Sequence, residues 1–314
     1  MSKTAYIFPG QGSQTVGMGK EFYDNFEEAK EVYKKADDAL EYKISDICFS
    51  GDAEKLNLTK NTQPAILTTS LAILEVLKKE YNTDVYATAG HSLGEYGSLY
   101  LSGMLPLETA IKITGERAKL MNEAAQKTNG GMAAVLGLSE EDVKKGIEEL
   151  SKEGMISVAN YNCPGQIVIT GEKVLIEKSV EFFKELGAKR VIPLAVSGAF
   201  HSELMRSAAE KFEQFIKNIN FDNPKISVYE NIDGEKVTNG EEFKRRMPKQ
   251  IYSSVMWTKT IENMIKDGVE TFVEIGTGKV LSGLVKKINQ NVKIYNVNSI
   301  ETLKSTINEL KAGE

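Results

Sequence analysis

The chain has 314 residues, of which 41% are apolar and 26% charged, and a net charge of −5, an acidic balance that excludes a general nucleic-acid binder. That length permits one large domain or one domain carrying an insertion, and no apolar run approaches the roughly 20 residues that cross a bilayer. The first ten positions lack the apolar core and cleavage site of a signal peptide, and Cys48 and Cys163 have no metal-ligand spacing and make no disulfide scaffold, so a cytoplasmic location is expected, without membrane, nucleic acid or metal.

In chain order, Thr4–Phe8 reads as a short strand, broken by Pro9-Gly10 and a glycine-rich loop. Apolar residues fall at helical spacing over Lys20–Leu40. Thr62–Tyr81 carries a dense apolar face and opens with Pro64, a residue suited to a first helical turn. Asp84–Ala89 is a short buried strand, Leu93–Ser102 can continue as a helix, and Leu107–Ala125 is a helix entered after Pro106. The character then changes. Met132–Gly137 is a strand, Glu140–Glu153 a charged amphipathic helix, and Ile156–Asn160 and Gln166–Thr170 are strands around the turn Asn162–Gly165. Val174–Leu186 is a helix ended at Gly187, and Arg190–Val196 a strand. This β-α-β-β-α-β order is the ferredoxin-like split unit, so residues 131–197 are expected to form an inserted subdomain. Alternation returns with strands at Lys225–Tyr229, Thr271–Ile275 and Val292–Val297, and implies a mostly parallel sheet covered by helices, formed by residues 1–130 and 198–314.

Gly90-His91-Ser92-Leu93-Gly94 fits the G-x-S-x-G pattern, which places a serine on a sharp strand-to-helix turn. The flanking strand and helix supply the setting that the pattern requires; a glycine-rich turn with a bystander serine is the plain alternative. A serine hydroxyl needs a base, usually histidine, and the chain has two histidines. His91 neighbours Ser92 on a tight turn, where adjacent side chains point apart. His201, in the loop Ser197–Ser202, is left as the candidate base, against the alternative of a local helix-start hydrogen bond.

Arg117 discriminates further. At about 100° per residue, Leu107–Ala125 has one apolar arc, and Arg117 falls inside it beside Ile113, Ala110, Ala124 and Met121. A guanidinium keeps its charge, so burial calls for an anionic partner: either an internal carboxylate or, bidentately, the carboxylate of a substrate. An ordinary esterase has no need of it. Gly10-Gln11-Gly12-Ser13-Gln14 is neither a dinucleotide fingerprint nor a phosphate-binding loop. It can supply a backbone N–H to an oxyanion together with that of Leu93, or be only a turn. Gly276-Thr277-Gly278 can line the same cleft or cap the following helix, Lys279–Asn289. No acid stands out as a third triad member, and a backbone carbonyl can orient His201 instead.

Six stretches occur together in order: FPGQGSQ at 8–14, NTQPAIL at 61–67, GHSLGEY at 90–96, GERAKLM at 115–121, SGAFHS at 197–202 and EIGTGKVLSGLVKKI at 274–288. With them the chain resembles, over nearly its whole length, the malonyl-CoA:acyl carrier protein transacylase family of fatty acid synthesis. The resemblance implies an α/β-hydrolase-like core with a ferredoxin-like insertion, and no cofactor. It implies Ser92 as acylated nucleophile, His201 as base, Arg117 as holder of the malonyl carboxylate, and Gln11 and Leu93 as oxyanion N–H donors. The histidine would be oriented by a main-chain carbonyl near Gln250. Phe200, directly before the histidine, goes with malonyl over methylmalonyl in related acyltransferases. Met121 joins the substrate-binding set, and Asn160, Asn162 and Gln166 would face the cleft from the small subdomain, toward pantetheine. Thr277 departs from the proline of many relatives.

The implied reaction has two steps. Ser92 attacks the malonyl thioester and expels CoA, and the pantetheine thiol of acyl carrier protein then takes the malonyl group. The partners are thus malonyl-CoA and an acidic carrier, for which Lys189, Arg190, Lys286 and Lys287 are candidate contacts, and a monomer is expected. Two other readings share parts of this pattern. A serine thioesterase or carboxylesterase leaves Arg117 without a role, and a non-catalytic carrier-binding module leaves Ser92, His201 and Arg117 without one.

Overall fold

The computed structural model describes residues 3–82 and 84–312, and its strands form two sheets. The first contains β1 (Lys3–Phe8), β2 (Ala87–Gly90), β7 (Ser227–Tyr229), β8 (Lys236–Val237), β9 (Val269–Ile275) and β10 (Lys293–Val297), in the order β10-β9-β1-β2-β7-β8. Every pairing is parallel except β7 with β8 at the edge. Buried on both faces, the central strands are nearly continuous apolar runs, as in Thr4–Phe8.

This topology positions the site. β9, β1, β2 and β7 are neighbours running the same way, so their exits share one sheet edge. Those exits are the loops at Gly276 and Gly10, the serine turn, and Glu230-Asn231. Opposite Phe8 stands Gly90, and opposite Ala89 stands Tyr229, which brings Asn231 beside the serine turn although the two are far apart in sequence.

The second sheet contains β3 (Gly130–Leu136), β4 (Ile156–Cys163), β5 (Gln166–Glu172) and β6 (Arg190–Pro193), in the order β4-β5-β3-β6, all antiparallel. With helices Glu140–Leu150 and Lys173–Glu185 between the strands, this is the ferredoxin-like order expected from the sequence. Register shifts in β4 near Asn160 and Asn162 mark bulges, which re-aim side chains near sites. β4 is also tied to the first sheet's side of the molecule, since Asn160 and Val255 form a parallel bridge in which the Tyr161 N–H donates to the Val255 carbonyl at 2.9 Å and the Val255 N–H to the Ala159 carbonyl at 2.8 Å.

Local differences from the sequence reading have physical causes. The helix expected over 20–40 is two, Lys20–Asn25 and Glu27–Leu40, because Phe26 is extended (φ −132°). Its N–H closes the first helix on Phe22, and Glu27 and Glu28 favour a new N-terminus. The next long helix runs Thr59–Glu80, so Pro64 lies inside it rather than in its first turn. The helices Gly240–Gln250 and Trp257–Lys266 lay outside the elements read from sequence; Asn239 caps the former by accepting the Glu242 N–H at 2.9 Å.

Candidate active site

The serine turn is tight enough to exclude side chains at both glycines. A Cβ on Gly90 would fall 1.9 Å from the Gly94 carbonyl carbon, and one on Gly94 2.1 Å from the Phe8 carbonyl oxygen. Between them Ser92 takes a left-handed backbone (φ 52°) and opens a single 3₁₀ turn, Ser92–Gly94, that leads into the helix Glu95–Leu101. Such a conformation persists in a non-glycine residue only where its surroundings enforce it. His201 is also left-handed (φ 58°), with its N–H bonded to the Ile251 carbonyl at 3.2 Å.

The two side chains meet: Ser92 Oγ lies 2.8 Å from His201 Nε2. His201 Nδ1 faces two carbonyl oxygens, of Gln250 at 2.9 Å and Ser253 at 3.1 Å. Carbonyls only accept, so Nδ1 carries the hydrogen and Nε2 presents its lone pair to the serine O–H. Two carbonyls thus fix the tautomer that a buried carboxylate fixes in other serine sites. Burial, then the nearby Arg117 charge, push the His201 pKa down to about 3. The imidazole is neutral and able to accept a proton.

Arg117 is fully buried, as its place on the apolar arc of the helix Leu107–Lys127 predicts. Of the two anionic partners expected, the internal carboxylate is not what holds it. Among the described residues no carboxylate lies within ion-pair distance of the guanidinium. Nη1 donates to Gln63 Oε1 at 2.5 Å, and Nη2 donates to Gln250 Oε1 at 2.8 Å and to Ser92 Oγ at 3.1 Å. Nε is without a partner among the described residues. Neutral oxygens therefore hold the cation, with the Tyr96 ring 5.7 Å away. Glu95 stands one amide further off, accepting from Gln250 Nε2 at 3.0 Å; burial first, then the Glu230 charge, raise its pKa to about 8.

A cavity of about 450 Å³ opens onto Ser92 and His201, within the usual size range for a small-molecule site. Gln11, Met121, Phe200, Asn160, Asn162 and Gln166 all line it, whereas Arg117, Leu93 and Gln250 stand behind its wall, buried. Gln11 Nε2 reaches only Thr59 Oγ1, at 3.4 Å. Leu93 points its side chain into the core, so only its main chain can serve the site. Asn162 Oδ1 accepts from His91 Nε2 at 2.8 Å, which turns His91 away from the serine and toward the second sheet. Thr277 donates to the Ser13 carbonyl at 3.0 Å, and so latches the 276–278 loop to the loop that carries Gln11.

Several contacts were not read from the sequence. Gln63 lies within NTQPAIL, and its place inside one of the six ordered stretches was a usable signal. Ser92 and Glu95 are spaced as a capping box, but Glu95 instead accepts the Asn231 N–H at 2.7 Å. Asn231 and the Ser253 carbonyl carry no local signal.

Residues 5–310 match the family described as acyl transferase domain. The malonyl CoA-acyl carrier protein transacylase of Bacillus subtilis is 46% identical over 312 residues, 99% of this chain and 98% of its own. The chain belongs to the malonyl CoA-acyl carrier protein transacylase family. A family member of known structure, from Clostridium perfringens, superposes with a TM-score of 0.94 at 44% identity, covering 99% of this chain and 98% of its own. A malonyl-transacylase solved in complex with a type II PKS acyl-carrier protein gives 0.95 at 36% identity, over 98% of this chain and 100% of its own. Among the described residues of the present chain, no helix is long and apolar enough to cross a membrane.

Proposed function

We propose that this chain moves a malonyl group from coenzyme A to the pantetheine thiol of acyl carrier protein, through a malonyl-serine ester, in cytoplasmic fatty acid synthesis. One observation carries the reading: Ser92 Oγ touches both the His201 imidazole and the Arg117 guanidinium, at 2.8 and 3.1 Å. A serine and a base alone suit any ester. A buried cation at the same oxygen, bonded only to neutral groups, suits an acyl group that brings its own carboxylate.

In the first half, Ser92 Oγ attacks the thioester carbonyl as His201 Nε2 takes its proton. The C–S bond breaks, the proton passes to the departing sulfur, and a malonyl ester remains on Ser92. The Gln250 and Ser253 carbonyls stabilise the transient imidazolium through Nδ1. Main-chain N–H groups of Gln11 and Leu93 take the oxyanion, and Arg117 exchanges a neutral partner for the malonyl carboxylate. In the second half the pantetheine thiol gives its proton to His201 and attacks the ester, and Ser92 recovers the proton as it leaves. Neither half uses a cofactor.

Phe200 and Met121 bound the acyl end of the cavity, and Asn160, Asn162 and Gln166 face the pantetheine arm from the 131–197 insertion. Residues 1–130 and 198–314 form the catalytic domain. Lys287, on the helix Val280–Ile288, donates from Nζ to the cavity-lining Gln166 Oε1 at 3.2 Å, and the exposed Lys189 and Arg190 stand at the start of β6, at the same end of the second sheet as Gln166. Lys286 is less suited to an acidic carrier, because its ammonium donates to the Val292 carbonyl at 2.7 Å. The reading is tested by loading the protein with malonyl-CoA, removing free nucleotide and adding holo carrier protein. Malonyl should leave the protein and appear on the carrier; release as free malonate in its place marks a hydrolase.

A further inference from the structure

The main chain of Ser92 is held from outside the turn at both its polar groups. Its N–H donates to Asn231 Oδ1 at 2.7 Å, and its carbonyl accepts from Gln250 Nε2 at 2.9 Å. The Asn231 carboxamide spans the turn, because its Nδ2 donates to the Gly90 carbonyl at 2.7 Å. Asn231 is itself fixed. Its N–H donates to Glu95 Oε1 at 2.7 Å and its carbonyl accepts the Met256 N–H at 2.8 Å. Asn231 and Glu95 are both buried, at 0% and 1% exposure, so water offers no substitute partner. Without the Asn231 acceptor, the Ser92 N–H loses its bond and the left-handed backbone loses what enforces it. Ser92 Oγ would then drift from His201.

We propose that Asn231 is a positioning residue for acyl transfer: its carboxamide, anchored by Glu95, pins Gly90 and Ser92 in the one conformation that delivers Ser92 Oγ to His201. It acts through Ser92 and touches no reacting atom, and the inference rests on the acyl-transfer reading above. A corollary follows for the oxyanion. With the Ser92 N–H committed to Asn231, stabilisation falls to other main-chain donors.

Asn231→Asp provides the test, because a carboxyl group copies the carboxamide only while protonated. The neutral acid accepts from Ser92 and donates to Gly90; the ionised form repels the Gly90 carbonyl. The titratable groups facing position 231 are Glu95, on the helix after the serine turn and protonated up to about pH 8, and Glu230 before it, the latter paired with Arg246 at 2.5 Å. Arg117 lies beyond Gln250, and the neutral His201 beyond Ser92. Burial holds a new carboxyl protonated into the neutral range.

Single-turnover malonylation of Ser92 is to be followed by rapid quench and intact mass, for wild type, Asn231→Asp and Asn231→Leu, between about pH 6 and 9. Relative to wild type, Asn231→Asp should acylate near normally at the acid end and about 10-fold or more slower at the alkaline end. Asn231→Leu should lose about 10- to 100-fold in the rate constant per active site at every pH, with malonyl-CoA affinity within about twofold. An Asn231→Asp profile parallel to wild type, or Asn231→Leu acylating at the wild-type rate, overturns the proposal. If Asn231→Leu fails to fold, the Asn231→Asp profile decides alone. The wild-type control separates the two claims: no wild-type adduct removes both the transfer reading and this inference, whereas a wild-type adduct with unaffected variants removes only the role of Asn231.

Discussion

Arg117 donates a hydrogen bond to Ser92 Oγ over 3.1 Å, so the buried cation and the hydroxyl are in contact before any acyl group arrives. The hydroxyl accepts from Arg117 while it donates to His201, and the same cation helps burial hold the His201 pKa down. An acyl group whose carboxylate neutralises Arg117 therefore strengthens the base that activates its own attacker. Acetyl brings no such charge. In the proposed reaction, recognition of the carboxylate and activation of the serine are coupled through one guanidinium.

Arg117→Ala should lower kcat/KM for malonyl-CoA by about 10- to 100-fold, the loss of a hydrogen bond to a charged group. Acetyl-CoA should be affected far less. Steady-state assays with both thioesters check this, and equal losses for the two would count against a carboxylate clamp.

The depressed His201 pKa bears on stability as well as rate. Below 6.5, its ordinary value, the unfolded chain binds a proton that the folded chain refuses, so folding stability falls as pH drops from 6.5 toward about 3. His201→Gln should flatten that acid-side slope in urea melts across the same window. In wild type, kcat/KM should show no fall at pH 6.5 that could be assigned to His201.

Glu95 has the opposite sign. Its carboxyl titrates at about 8 in the fold against 4.5 unfolded, so the folded state holds a proton across that window that the unfolded state has lost. Stability falls as pH rises through it. Glu95→Gln keeps an oxygen for the Asn231 N–H but turns an amide N–H₂ toward Gln250, which costs roughly 1 kcal/mol. The variant should be less stable at acid pH yet decline less toward alkaline pH, as chemical melts will read.

Gly94→Ala tests the turn itself. The new Cβ would meet the Phe8 carbonyl oxygen at 2.1 Å, and β1, paired on both sides, cannot give way. The expected cost is about 3 kcal/mol or more, with a lowered melting temperature and lost acylation.

Which parts of this site were legible depended on how far their causes lay apart in the chain. The glycines around Ser92 and the buried place of Arg117 follow from spacing within one element, the β-α-β-β-α-β order of residues 131–197 from elements that succeed one another in the chain, and each is found in the fold. Scarcity of histidine singled out His201. The partners of Arg117 were not legible, because Gln63 and Gln250 approach it from 54 and 133 residues away. The same holds for Asn231, which reaches Ser92 across 139 residues through the parallel pairing of β2 and β7. A lone asparagine after a three-residue strand leaves no periodic trace. Expectation also failed at Phe26, where local capping outweighed a continuous helical pattern.

The most direct test is intact-protein and peptide mass spectrometry after brief exposure to malonyl-CoA, with acetyl-CoA in parallel. One malonyl group should be found, on the peptide that contains Ser92, and Ser92→Ala should abolish it. Acetyl should load far more weakly, and the bound malonyl should persist until a thiol acceptor is added. Free malonate accumulating with no adduct on Ser92, or a malonyl group on another residue, would contradict the account.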